Sequence, residues 1–250
     1  MPATMKTIAF SLVTLFVVTT SCKKESTNNS NASHKLKSYT EDVLAVGGRL
    51  VETYNVNYDA EGRPTSLVSV NRPGYYRMEY TYLDNGKFTF EKIEGDKVIM
   101  HNTYYLNSHS LVDSTFQYNQ LNDTISFKYL YDEENRLVRK KEYIHSYLIS
   151  KPVLANTINY HYDLQGLLTR VTETYAEITY RYDSVHINTV QLEPAYFPFQ
   201  EKLPTHTYTT RHGRTIETQH TYQYDGQRRL IQERAAGSDG RVTLKTYTYQ

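Results

Sequence analysis

The chain has no tryptophan and a single cysteine, Cys22, among its 250 residues. One cysteine excludes a disulfide framework and any multi-thiolate metal centre. An excess of charge of one sign is also missing: 28 basic and 27 acidic side chains leave a formal charge of +1. Lys6 is the only charged residue before Cys22, so a chain beginning at Cys22 would carry 27 of each sign. A neutral chain exerts no pull on polyanions, which excludes nucleic acid as a partner. Proline is sparse, and three of the seven lie between positions 194 and 204.

What the chain has is tyrosine, 25 against 8 phenylalanines. This reconciles a mean hydropathy of −0.64 with a folded chain: a tyrosine ring buries a large apolar body while its hydroxyl reaches water or a polar partner. Such strands can cover a thin sheet that is partly exposed on both faces. The length suits one large all-β domain or two small ones.

Residues 1–21 read as a signal peptide. Lys6 supplies the positive start, Ile8 to Val18 form an apolar run broken only by Ser11 and Thr14, and Thr19-Thr20-Ser21 supply small residues before Cys22. The run is too short to span a bilayer comfortably. With cysteine directly after the small residues, the segment resembles the lipobox of Gram-negative bacterial lipoproteins, with Thr19 where that family usually carries leucine. The resemblance implies acylation of Cys22 and a membrane partner through the lipid, most simply at the outer membrane. Lys23-Lys24-Glu25 and a Ser/Thr/Asn-rich stretch from Ser26 to Ser33 fit a flexible linker over 22–38, and the domain proper is expected over 39–250.

From Tyr54 onward apolar and polar residues alternate with period two. Tyr54, Val56 and Tyr58 alternate with Asn55 and Asn57, and Tyr76, Met78, Tyr80 and Tyr82 with Arg77, Glu79 and Thr81. Ile125 to Tyr131, Ile158 to Tyr162 and Ile178 to Tyr182 follow the same rule, which predicts half-buried strands with one aromatic face. Between them stand turns of one chemistry. In Asp59-Ala60-Glu61-Gly62 the aspartate opens a type I turn and the glycine takes a left-handed conformation. Asp163 to Gly166 repeats this, Asp132 to Asn135 substitutes asparagine, and Asp225 opens another. Tyrosines 58, 82, 105, 131, 162, 182 and 224 mark the strand ends. The pattern predicts an all-β, antiparallel meander of consecutive β-hairpins, about 14–16 strands, forming a large curved or partly rolled sheet. The phrase Tyr-Asp-x-x-Gly-Arg, seen at Tyr58 to Arg63 and with variation at Tyr131, Tyr162 and Tyr224, resembles the YD or RHS repeat over most of Tyr54 to Gln250. Large members of that family wind many such strands into a shell. This chain has too few to enclose a cargo, and small lipid-anchored proteins with a YD-like domain are the nearer likeness.

Catalytic and metal signatures are sparse. The nine histidines form no His-x-His or His-x-x-x-His pair, so no metal site is expected, and no cofactor motif appears. Asp59, Asp132, Asp163 and Asp225 are accounted for by turns. There is no nucleophile elbow or phosphate loop, and enzyme activity is not expected. Leu192 to Pro204 interrupts the repeat with proline and aromatic residues. Tyr196, Phe197 and Phe199 either cap an open sheet end or present a binding surface. Three functions compete: a non-catalytic, lipid-anchored envelope scaffold that binds protein or glycan, a lipid or lipoprotein carrier with an apolar cavity, and a hydrolase with carboxylates from several strands. The first is expected.

Overall fold

The computed structural model describes residues 35–45, 47–119, 124–145, 151–184, 186–190, 192–197 and 200–250. In chain order the strands are β1 (Leu36–Ala45), β2 (Gly48–Tyr58), β3 (Pro64–Ser69), β4 (Tyr76–Leu83), β5 (Lys87–Glu94), β6 (Lys97–Leu106), β7 (Val112–Asn119), β8 (Thr124–Tyr131) and β9 (Leu137–His145). They continue as β10 (Val153–Tyr162), β11 (Leu168–Thr172), β12 (Ala176–Arg181), β13 (His186–Ile187), β14 (Lys202–Leu203), β15 (His206–Arg211), β16 (Arg214–Tyr224), β17 (Leu230–Gly237) and β18 (Val242–Tyr249).

The antiparallel meander is as the alternation predicts, but the sheet is not open. β1 pairs with β18, Thr40 opposite Thr246 and Glu41 opposite Lys245, so sixteen strands close into a barrel and β13–β14 stand apart as a two-stranded ribbon. The seam has the chemistry of an interior pair. Tyr39 stacks on Tyr247 at 5.7 Å between ring centroids, and the Ser38 and Thr248 hydroxyls meet at 2.6 Å. Closure satisfies the backbone groups that two free edges would leave unpaired. The ordered domain also begins before residue 39. Leu36 is 1% exposed, and its N–H donates to the Tyr58 hydroxyl at 3.0 Å, so β1 takes up the end of the predicted 22–38 linker.

Asp59, Asp132 and Asp225 each accept the backbone N–H of the arginine four residues on, at 2.8–2.9 Å. Each also takes that arginine's Nε at 2.7 Å. Asp163 makes the backbone bond to Leu167. The left-handed slot three residues after each aspartate holds Gly62 (φ 79°), Asn135 (φ 62°), Gly166 (φ 77°) and, after Asp225, Arg228 (φ 61°). At each turn the register shifts by a bulge next to the tyrosine, the geometry of a three-residue loop with a left-handed bulge residue.

The mark at Tyr105 is corrected by one residue. Asn107 plays the aspartate's part, its Oδ1 accepting from Leu111 N at 3.0 Å, and Ser110 takes the left-handed slot at φ 59°. Leu106, not Tyr105, therefore occupies the inward tyrosine position, and Tyr105 points out.

Paired residues on neighbouring strands share a face, which assigns the whole wall. On β16, Thr215, Glu217, Gln219, Thr221 and Gln223 are exposed, whereas Ile216, Thr218, His220, Tyr222 and Tyr224 are half-buried. The second set faces the lumen. Around the ring the inward row near the Asp turns is aromatic, and its buried members form two clusters, one around Tyr39, Tyr54, Tyr76 and Tyr247, the other around Phe88, Tyr104 and Tyr129.

Candidate functional site in the lumen and its cap

The β12–β15 connection leaves the barrel at the same end as the Asp turns and crosses that mouth. On one side Ile187 O accepts from the Tyr224 hydroxyl at 3.0 Å, and Thr189 Oγ1 accepts from Leu230 N at 2.8 Å. On the far side Tyr196 O accepts from Val112 N at 3.0 Å. Tyr196 packs on Phe88 at 5.5 Å and Tyr82 at 6.3 Å, and Phe197 meets Phe88 and Tyr104 edge-on at 5.9 and 5.2 Å. Val190 and Pro194 are buried between. Tyr196 and Phe197 are thus half-buried cover for the tyrosine mouth. Phe199 and Cys22 lie outside the described residues.

Under the cap the lumen carries charged side chains. Glu193 hangs into it, exposed to water, yet burial raises its carboxyl above the ordinary range, with Lys140 opposing. Lys140 stands on β9 with its Nζ 4.1 Å from the centroid of Phe127, and burial lowers its ammonium, against the pull of Glu142 and Glu193. Burial likewise pushes the Tyr129 and Tyr160 hydroxyls up to about 12.

Across the lumen, β16–β18 and β1–β3 carry a second polar band. His220 Nδ1 lies 3.5 Å from Glu233 Oε1, and its Nε2 is 3.2 Å from Thr207 Oγ1. Burial works to raise Glu233, but His220, Lys245 and Tyr247 outweigh it and hold the carboxyl low. Glu52 is committed to Ser69 Oγ and, at 3.3 Å, to Arg72.

These contacts decide what chemistry the band can do. A general acid needs a carboxyl kept protonated, whereas the Glu233 carboxyl is shifted downward. Among the described residues no three metal-ligating side chains gather. A lipid carrier needs a continuous aliphatic lining. Here Ile125, Ile158, Val171 and Ile178 share the inner wall with Lys92, Lys140, Glu142, Thr207 and Thr209, as the registers show. The sequence had no signal for this lumen, because its members come from strands that only closure brings face to face.

No family model and no curated protein matches the chain. Solved structures of similar fold include a porin-like protein from Bacteroides uniformis, with TM-score 0.65, 12% identity, and coverage of 86% of this chain and 98% of that one. A porin-like protein from Bacteroides vulgatus matches with TM-score 0.51 and 12% identity, over 86% of this chain and 99% of that one. What this chain shares with them is the barrel fold.

Proposed function

We propose that the protein is a non-catalytic binding scaffold of a Gram-negative cell envelope, a water-facing β-barrel held at the outer membrane by a lipid on Cys22 and binding a protein or glycan. The observation that carries this reading is the polarity of the wall. A barrel that spans lipid turns its apolar residues outward. Here most of the strand aromatics face in, while Arg77 and Glu79 pair at 2.7 Å and Arg170 and Glu177 at 4.0 Å on the outer face, joined there by Glu91, Lys128 and Lys141. Each lysine or arginine at the middle of a bilayer would cost about 2–4 kcal/mol.

The porin-like neighbours invite a pore as the alternative. The described residues 186–190, 192–197 and 200–204, packed across one mouth, argue against it, as does the wall. The leader and Cys22 support an envelope address, and the Bacteroides origin of the similar structures agrees with it. In the full chain, Cys22→Ala should move the protein from the membrane to the soluble fraction, folded and melting cooperatively without detergent. The wild-type protein should open no channels in a planar bilayer. Retention of the variant in membranes, or stable conductance by the wild type, would overturn the reading.

A further inference from the structure

The rule of aromatics in and polar residues out is broken on the outer wall of β6–β9. Asn102 and Tyr104 face the lumen, so Thr103 and Tyr105 face out, and their partners Phe116 and Ser114 face out with them. Tyr118 stands opposite His101, and Tyr143 opposite Ser126, itself the partner of Phe116. The rings touch across strands. Tyr105 meets Phe116 edge-on at 5.9 Å, His101 lies 6.2 Å from Tyr118, and Phe116 lies 6.1 Å from His145. Tyr118 is 47% exposed. Lys87 lies over Tyr105 at 5.0 Å, which leaves Tyr118 as the most open ring, with Phe116 and Tyr143 half-buried beside it.

The polar groups among these rings are already ordered. His101 is held between Glu91 Oε1 at 2.9 Å and Thr103 Oγ1 at 3.2 Å, and His145 Nε2 shares a hydrogen bond with Ser126 Oγ at 2.7 Å. We propose that this outer face is a glycan-binding platform, resting on the reading above that the wall faces water. A sugar offers an apolar C–H face for a ring and a rim of hydroxyls for carboxylate, imidazole and hydroxyl groups, and the platform supplies both about 7 Å apart along each strand and about 5 Å apart across strands. Leu154, 49% exposed, stands opposite Tyr143 at the edge of the platform, whose six members Tyr105, Phe116, Tyr118, Tyr143, His101 and His145 are aromatic rings and imidazoles. His101 and His145 are held by Glu91, Thr103 and Ser126 before a ligand arrives, which lowers the cost of ordering them.

The test uses the full chain carrying Cys22→Ala, run on native gels cast with soluble β-glucan, xylan, mannan or starch. At least one polysaccharide should retard it, and adding Phe116→Ser and Tyr118→Ser should weaken that retardation by about tenfold or more with the barrel still folded. Tyr118→Ala alone, at a largely exposed site, should give a smaller loss in the same direction without unfolding. No retardation by any polysaccharide from a soluble, folded protein would overturn the platform and leave the water-facing barrel standing. Retardation untouched by these variants would overturn it too, as would a protein partner lost with them in the absence of any polysaccharide effect. A protein that folds only in detergent would instead sink the underlying reading.

Discussion

At the scale of the residue, the repeated turn works through one aspartate and one left-handed backbone position. Burial raises Asp59 and Asp132, but the N–H and guanidinium of Arg63 and Arg136 outweigh it and hold both carboxyls below the ordinary range. Gly166 has φ 77°, and a Cβ there would touch only Arg136 at 3.6 Å, so backbone strain and not crowding makes glycine the natural choice. Gly166→Val should lower stability by at least about 1 kcal/mol. The same slot after Asp225 is filled by Arg228, a residue with no affinity for that conformation. Arg228→Asn, copying Asn135, should raise stability by about 0.5 kcal/mol. Urea unfolding of the two variants checks both signs, and changes in the same direction would mean that backbone conformation is not what distinguishes the sites.

At the scale of the element, hairpin is joined to hairpin by a tyrosine near the end of a strand. Tyr82 donates to Pro64 O at 2.7 Å, Tyr162 to Leu137 O at 3.0 Å, Tyr182 to Leu168 O at 2.9 Å and Tyr249 to Leu230 O at 2.7 Å. In each case the acceptor opens the strand after the previous Asp turn or, for Tyr182, after the Asp163 turn. Arg63, Arg136 and Arg229 lie over Tyr82, Tyr162 and Tyr249 at 4.1, 5.0 and 4.5 Å. Hydroxyl and ring are both used, which explains why the chain prefers tyrosine to phenylalanine at these positions. Tyr162→Phe keeps the ring and removes the donor, so it should cost about 1 kcal/mol, read as a lowered melting temperature with unchanged β content. An unchanged melting temperature would show that water replaces the hydroxyl at no cost.

At the scale of the whole molecule, the cap joins opposite walls. Tyr196 and Phe197 rest on β5 and β6, while Thr189 is bound to β17 and β18, so the segment ties opposite walls together. Replacing Tyr196 and Phe197 together by serine should cost roughly 1.5–3 kcal/mol for two half-buried rings. A melting curve and the accessibility of lumenal tyrosines to a quencher would report it. A stable variant with unchanged quenching would mean that these rings are not a structural cover.

Strands and turns were legible in the sequence because they depend on neighbours a few residues apart. Period two set the aromatic face, and aspartate followed by a left-handed residue set the turns at Gly62, Asn135 and Gly166. The slip to Leu106-Asn107-Ser110 was hidden because leucine, asparagine and serine replace every letter of the motif while keeping its hydrogen bonds. Closure, the cap and the outer aromatic face were decided only in three dimensions. The seam joins residues as far apart as Ser38 and Thr248, and nothing local distinguishes a strand that will find such a partner from one left at an edge. The alternation says that each strand has two faces, but which face looks inward exists only once the sheet has curled and met itself.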